Sequence, residues 1–312
     1  MRLAAIVALV LAARADALAQ RIARVELSQA DQAIARGRLE YAEALLFYES
    51  SKDTHDHAAR GALGAFLAAR GKLLVGATLL EEAMRFGADS VSVQNRLFEI
   101  YRWEGRYAQA AAQRLARVSP ELRLAFERVT QAEAGGAPSS TVRMSPNEAL
   151  GLGRVAIQVG GEKLDADIQP FLAGVQLPST MQLFSSLESV VARGDTTFAI
   201  APSIQIGAVT VGPVPVMLVP HLATAKLGLD VLSILRPTLD QGAGTLTVRS
   251  TEPLPEVPES GKRLIFLTFP GLSYMARENE APVALNTPAG RAGLRGLRWT
   301  IDLLAGAILV ER

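Results

Sequence analysis

Three phrases in the chain, ARGRLEYAEALL, ARGKLLVGATLL and WEGRYAQAAAQR, echo one another at a fixed distance. Their glycines, Gly37, Gly71 and Gly105, are spaced 34 residues apart. A period of that length in helix-forming composition marks stacked helix-turn-helix units, none of which can bury its apolar face alone. Each glycine falls where the first helix of a pair ends, a place that calls for a left-handed backbone. Two residues on stands Leu39, Leu73 or Tyr107, and three later Ala42, Gly76 or Ala110, small enough to let paired helices approach closely. The period predicts an α-helical repeat solenoid over residues 20–130.

These repeats resemble the tetratricopeptide repeat. Leu63-Gly64 matches that family's Leu-Gly pair, Tyr101 its first-helix aromatic and Ala83 a small second-helix residue. The early Trp of the family is missing from every repeat, and Pro120 stands alone near a repeat-ending Pro. The resemblance implies a concave groove lined by first-helix residues. In the third repeat these are Asn95, Glu99 and Arg102, with Trp103 beside them; the competing reading is a solvated face with Trp103 in the core. Such a groove suits a protein partner or an extended polypeptide.

The chain opens with MRLAAIVALVLAARADALAQ, which has a positive start, a short apolar run and the small-x-small site Ala17-Leu18-Ala19. That layout predicts a signal peptide over residues 1–19, cleavage after Ala19, and a periplasmic or secreted protein. The apolar run is too short for a membrane span, and no later stretch reaches the ~20 residues one needs. Cleavage leaves 30 of the 32 Lys and Arg and 30 of the 31 Asp and Glu. That balance argues against nucleic acid or an anionic membrane as main partner. With no cysteine, disulfides, thiolate metal sites and Cys nucleophiles are excluded. His55 and His57 flank Asp56 at a spacing that could meet a metal from a loop, but it suits an exposed turn between repeats better. No metal and no cofactor are expected.

Residues 131–146, QAEAGGAPSSTVRMSP, carry no apolar period and read as a linker. Beyond them VAIQV, TTFAIA, IQIGAVTVG, VPVMLVP and TLTVRS are short β-branched runs set off by Gly, Pro and Asp, typical of antiparallel strands. The expected fold is α+β: helical repeats, then an all-β domain over 147–250. A second linker follows at 251–263, then a β segment over 264–312.

The β part resembles the retropepsin-like aspartic peptidases, and an acid-protease-like barrel is expected. KLGLDVLSILRPTLDQGAGTLTV, residues 226–248, has that family's closing pattern, and IQIGAVTVGPVPVMLVP its preceding strand pair. The resemblance places Leu227-Gly228 under the active-site loop and makes Asp230 a helix-start residue. The hairpin VGGEKLDADI, with Gly161, Leu164, Ala166 and Ile168 in register, leads to the catalytic triplet. That triplet is Asp-Thr/Ser-Gly in the family; here it falls on Gln169, Pro170 and Phe171.

Each residue type has a chemical reason. Two carboxylates, one per lobe or subunit, share a proton, one as base towards water and the other as donor. The hydroxyl braces the pair, and the glycine admits close backbone approach. An amide, a proline and a phenylalanine meet none of these needs. Asp165 and Asp167 share a strand face, but neither precedes Ser/Thr-Gly, and alternation puts both towards solvent. His221 has no Gly-x-Ser-x-Gly elbow to serve. A shorter echo, ENEAPVALNTPAG, sets Asn286, Thr287 and Pro288 where a second triplet belongs; residues 264–312 read as a reduced second lobe or as a β appendage covering an open edge. The hairpin over 186–200, turning at Arg193, Gly194 and Asp195, is the candidate flap over a cleft. The expectation is an exported, non-catalytic protein- or peptide-binding protein, with a homodimer through the β domain as an option. The alternative is an active aspartic endopeptidase using Asp165 or Asp167.

Overall fold

Each of the three period glycines ends a helix with positive φ: 72° at Gly37, 90° at Gly71 and 72° at Gly105. In a computed structural model, which describes residues 29–147, 152–170, 172–253, 265–269, 272–276, 283–284, 296–302 and 307–311, the same bond recurs at all three. The N–H after the glycine donates to the carbonyl five residues back: Arg38 to Ala33 at 2.9 Å, Lys72 to Leu67 at 2.9 Å, Arg106 to Tyr101 at 2.8 Å. Such bonds satisfy carbonyls that the helix end leaves free.

The helices are α1 (described over 29–35), α2 (Leu39–Lys52), α3 (His57–Ala69), α4 (Leu73–Arg85), α5 (Ser90–Trp103), α6 (Tyr107–Ala111) and α7 (Pro120–Glu127). Asp56, Asp89 and Ser119 start α3, α5 and α7 by accepting hydrogen bonds from the first-turn amides. The small residues are needed where α3 meets α4. A Cβ on Gly76 would lie 2.7 Å from the Gly64 carbonyl oxygen and 2.8 Å from the Ala68 Cβ. Among the described residues no helix is long and apolar enough to cross a membrane.

The β part begins earlier than the sequence suggested. Within the expected linker, β1 (Glu133–Gly136) pairs with β10 (Val209–Gly212), and β2 (Ser139–Arg143) pairs with β14 (Thr245–Arg249). These two strands close sheet edges through their backbones, so an apolar period is not what specifies them. Their small residues are steric: a Cβ on Gly136 would meet the Ala208 carbonyl oxygen at 2.5 Å.

The main sheet has eleven strands. Ten run in the order β1, β10, β9 (Ile204–Ile206), β4 (Leu152–Val159), β5 (Glu162–Ile168), β12 (Ala225–Leu227), β6 (Val175–Pro178), β11 (Val214–Val219), β8 (Thr196–Ala201) and β7 (Glu188–Arg193). The eleventh, β3 (Ser145–Asn147), pairs with β4. A short helix, α8 (Met181–Ser186), precedes β7, and α9 (Leu229–Leu235) follows β12. A second sheet orders β19 (Ala307–Glu311), β18 (Arg298–Asp302), β13 (Thr238–Asp240), β14 and β2. Here the strand pair β18–β19 lies along β13. A third sheet joins β15 (Ile265–Phe269), β16 (Leu272–Ala276) and β17 (Val283–Ala284). The fold is therefore α+β, helices first and a large sheet after.

The two parts share one core. Phe98, Tyr101, Trp103, Tyr107 and Phe126 of the helices belong to the same buried cluster as Val216, Leu227 and Ile234 of the β part. A smaller cluster of Leu39, Leu46, Leu63 and Phe66 serves the first helices alone.

Candidate functional site

β5 and β6 follow one another in sequence but are not neighbours; β12 lies between them, parallel to β5 and antiparallel to β6. The chain from Ile168 to Val175 must therefore cross over the end of β12. At the crossing stands Gly228, where a Cβ would lie 2.2 Å from the Gly174 carbonyl oxygen and 2.5 Å from that of Leu172. The crossing is tied by Gln169 N–H to the Leu227 carbonyl at 2.9 Å and by Leu229 N–H to the Leu172 carbonyl at 3.0 Å. Leu227-Gly228 thus packs under the turn, as its resemblance to the peptidase pattern implies.

Where the resemblance leads one to expect a carboxylate, the turn holds Gln169, half-buried, followed by buried Pro170. Phe171, Asn286, Thr287 and Pro288 lie outside the described residues. Of the two nearby acids, Asp165 is exposed, while Asp167 is buried, against the strict alternation expected of β5. The reason is its register: Asp167 stands opposite Arg154 on β4 and beside β12 on its other edge. Arg154 Nε donates to its Oδ1 at 2.8 Å and Thr224 Oγ1 to its Oδ2 at 2.9 Å. That carboxylate holds three strands together. Its hydrogen bond and charge raise the Arg154 guanidinium further above its ordinary pKa.

Asp230 is buried too, at 2 % exposure. It lies in the first turn of α9 but does not cap that helix. Its Oδ1 accepts the Gly174 N–H at 3.1 Å, and its Oδ2 accepts Arg102 Nε at 3.0 Å, with the Arg102 terminal nitrogen 2.9 Å away. Arg102, placed by the period on a groove face, is instead 4 % exposed. α9 packs on α5 and covers it. Its guanidinium lies over the rings of Phe98 and Phe126, 5.7 and 5.5 Å from their centroids, which suits a cation taken out of water. Glu99 completes the group, 3.6 Å from Arg102. Burial raises the Glu99 carboxyl above its ordinary value, against the pull of Arg102. The Tyr107 hydroxyl, also buried, has no hydrogen-bond partner among the described residues, and burial holds its pKa well above the ordinary phenol value.

The expected flap, β7–β8 with its exposed turn at Arg193, Gly194 and Asp195, lies against α7. Arg193 reaches Glu121 of that helix at 3.7 Å. Leu122 and Phe126 of α7 then fill the space beside Gly174, Val175 and Met217, leaving a cavity of about 150 Å³. That is small beside the ~300–1,000 Å³ of ordinary ligand pockets.

The helical face is more open. One cavity of about 350 Å³ is lined by Ala58, Ala62 and Ala65 of α3 and by Ser92 and Arg96 of α5. Its neighbour, about 370 Å³, is lined by Ser92, Asn95, Arg96, Phe98, Glu99 and Arg117. Asn95 and Glu99 thus line the second cavity, and Asn95 Oδ1 also accepts the Arg117 N–H at 2.6 Å. Arg96 borders both cavities, and sequence reasoning missed it. It is half-buried, no carboxylate among the described residues pairs with it, and burial lowers its guanidinium pKa. The signal was present: Ser92, Arg96, Glu99 and Trp103 stand at i, i+4, i+7 and i+11, one helix stripe.

Of the histidines, His57 lines the first of these cavities. Asp56 spends its carboxylate capping α3, the His55 ring packs on Phe86 with centroids 4.9 Å apart, and His221 is exposed in a turn. Among the described residues no group of three or more His, Asp or Glu could hold a metal ion.

No family model matches the chain, and no curated protein is similar to it. The chain is similar to the crystal structure of a retropepsin-like aspartic protease from Rickettsia conorii, at 14 % identity over 38 % of this chain and 93 % of that one, with a TM-score of 0.27.

Proposed function

We propose that this is an exported, non-catalytic polypeptide-binding protein. A tetratricopeptide-like solenoid supplies the groove, and a retropepsin-like β domain without catalytic carboxylates buttresses it. Residues 1–19 have the layout of a signal peptide, which supports export. The observation that carries the binding reading is Arg96, a half-buried guanidinium that borders two open cavities and makes no salt bridge among the described residues. A half-buried cation without a salt bridge gains from an opposite charge, and a carboxylate of the bound chain would supply one. The small side chains of Ala58, Ala62 and Ala65 let a backbone lie close. For the β domain, support comes from Gln169 and Pro170 at the crossing turn and from an Asp167 already committed to Arg154 and Thr224.

Fluorescence polarisation on the full mature chain tests the binding reading. The probes are two sets of short labelled peptides, one with free C-terminal carboxylates and one amidated. The free-carboxylate set binds roughly tenfold more tightly, the worth of one charge-assisted contact, and Arg96→Ala removes the difference. Equal binding by both sets, or a preference that persists in the variant, removes the reading. A second assay incubates the protein with an unfolded labelled substrate from acidic to neutral pH. Cleavage that disappears in an Asp165→Asn, Asp167→Asn double variant would restore the peptidase.

A further inference from the structure

One buried cation separates the groove from the crossing turn. Glu99 lines the groove beside Arg96 and lies 3.6 Å from Arg102. Arg102 is bound from its other side to Asp230 at 3.0 and 2.9 Å. Asp230 in turn accepts the Gly174 N–H at 3.1 Å. Three side chains from α5 and α9 thus connect the groove to the segment Leu172–Gly174. Arg102 is shared: two carboxylates face one guanidinium, and the pull of one weakens the grip of the other.

We propose that Arg102 couples occupancy of the groove to the firmness of the crossing turn, so that a ligand carboxylate at Arg96 releases Arg102 from Glu99 and commits it to Asp230. This rests on the groove reading above and adds its regulation. A second anion beside Glu99 disfavours the charged form of that side chain, and the charged groups acting on Glu99 here are Arg102 and Asp230. With Glu99 neutral, Arg102 has one anionic partner left, and Asp230 is fixed more firmly beneath Gly174. The Phe98 and Phe126 rings keep the guanidinium in place while its partners change. Coupling of this kind is reciprocal, so a firmer turn must also favour the occupied groove. Proximity does not establish coupling; a shift in one site caused at the other does.

Amide hydrogen exchange on the full mature chain, read by mass spectrometry over residues 172–178, supplies that test. Glu99→Gln imitates the occupied groove without any ligand and slows exchange of this segment by roughly fivefold, the worth of ~1 kcal/mol in one hydrogen bond. Asp230→Asn speeds it by at least that factor. Exchange in β8 and β11 reports general stability, and in Glu99→Gln it stays within twofold of wild type. The free-carboxylate peptides slow the segment in the wild type but not in Asp230→Asn. If Glu99→Gln leaves residues 172–178 unchanged, or shifts β8 and β11 equally, the coupling is absent. Peptides that fail to bind count against the groove reading, whereas the ligand-free comparison still decides the coupling.

Discussion

Gly228→Ala tests the crossing turn most directly. The residue has φ −87° and ψ 179°, which any L residue adopts, so the whole effect of a methyl group comes from space. Its Cβ would stand 2.2 Å from the Gly174 carbonyl oxygen, 2.5 Å from the Leu172 carbonyl oxygen and 3.0 Å from the Gly174 nitrogen. These are backbone atoms, which cannot rotate aside. Restoring an ordinary carbon–oxygen contact of ~3.3 Å requires the turn to lift by about 1 Å. That breaks Leu229 N–H to Leu172 and Gly174 N–H to Asp230. The first is worth about 1 kcal/mol and the second, to a charged group, about 1.5–3 kcal/mol. Together they predict a loss of roughly 2.5–4 kcal/mol. Urea unfolding followed by circular dichroism measures it, with Gly242→Ala as the reference, since a Cβ there meets only the Asp240 side chain at 3.4 Å. Equal midpoints for Gly228→Ala and the wild type would mean that the turn does not cross where described.

Three further expectations concern charge and capping. Arg102→Met leaves Glu99 and Asp230 without their cation and costs about 3–5 kcal/mol; adding Asp230→Asn recovers part of that, which urea midpoints of the single and double variants will show. Burial raises the folded Glu99 carboxyl, so the native state keeps its proton to higher pH than the unfolded chain, where Glu titrates near ~4.3. The native state binds more protons between those two values, so wild-type stability falls as pH rises through that window, and Glu99→Gln flattens the slope. Unfolding midpoints from acidic to neutral pH for both proteins check the sign. Asp56→Ala removes the acceptor for the Ala58 and Ala59 amides at the start of α3 and costs about 1 kcal/mol, measured by thermal unfolding.

What could be read in advance was local. The glycines announced their positive φ because a helix ending in a left-handed residue needs one. Gly76 announced a close helix approach because its counterparts at the period are also small. Leu227-Gly228 marked the crossing because no other residue fits beneath a backbone. Three misses involve distant partners. Arg102 looked like a groove residue because the sequence carries no mark that α9, 128 residues later, will cover it. Asp167 looked solvent-facing because alternation describes one strand, whereas its burial comes from β4 and β12 together. The supposed linker looked structureless because β1 and β2 are specified by the sheet edges they meet. Arg96 was legible as part of a stripe and was passed over for the residues beside it.

The shared core also sets an order of events during synthesis. The rings of Phe98, Tyr107 and Phe126 are made long before Val231, Leu232 and Ile234, with which they share a core. Arg102 precedes Asp230 by 128 residues, which at ~5–20 residues per second is roughly 6–25 s of translation. The first helices can settle meanwhile, since Leu39, Leu46, Leu63 and Phe66 form a cluster of their own. The aromatic face of α5 to α7 cannot; it waits uncovered, and so does the guanidinium of Arg102. A ribosome-bound chain therefore passes through a stage in which its first helices are folded and one sticky face is bare. That stage, more than the finished molecule, is where such a protein would depend on a chaperone.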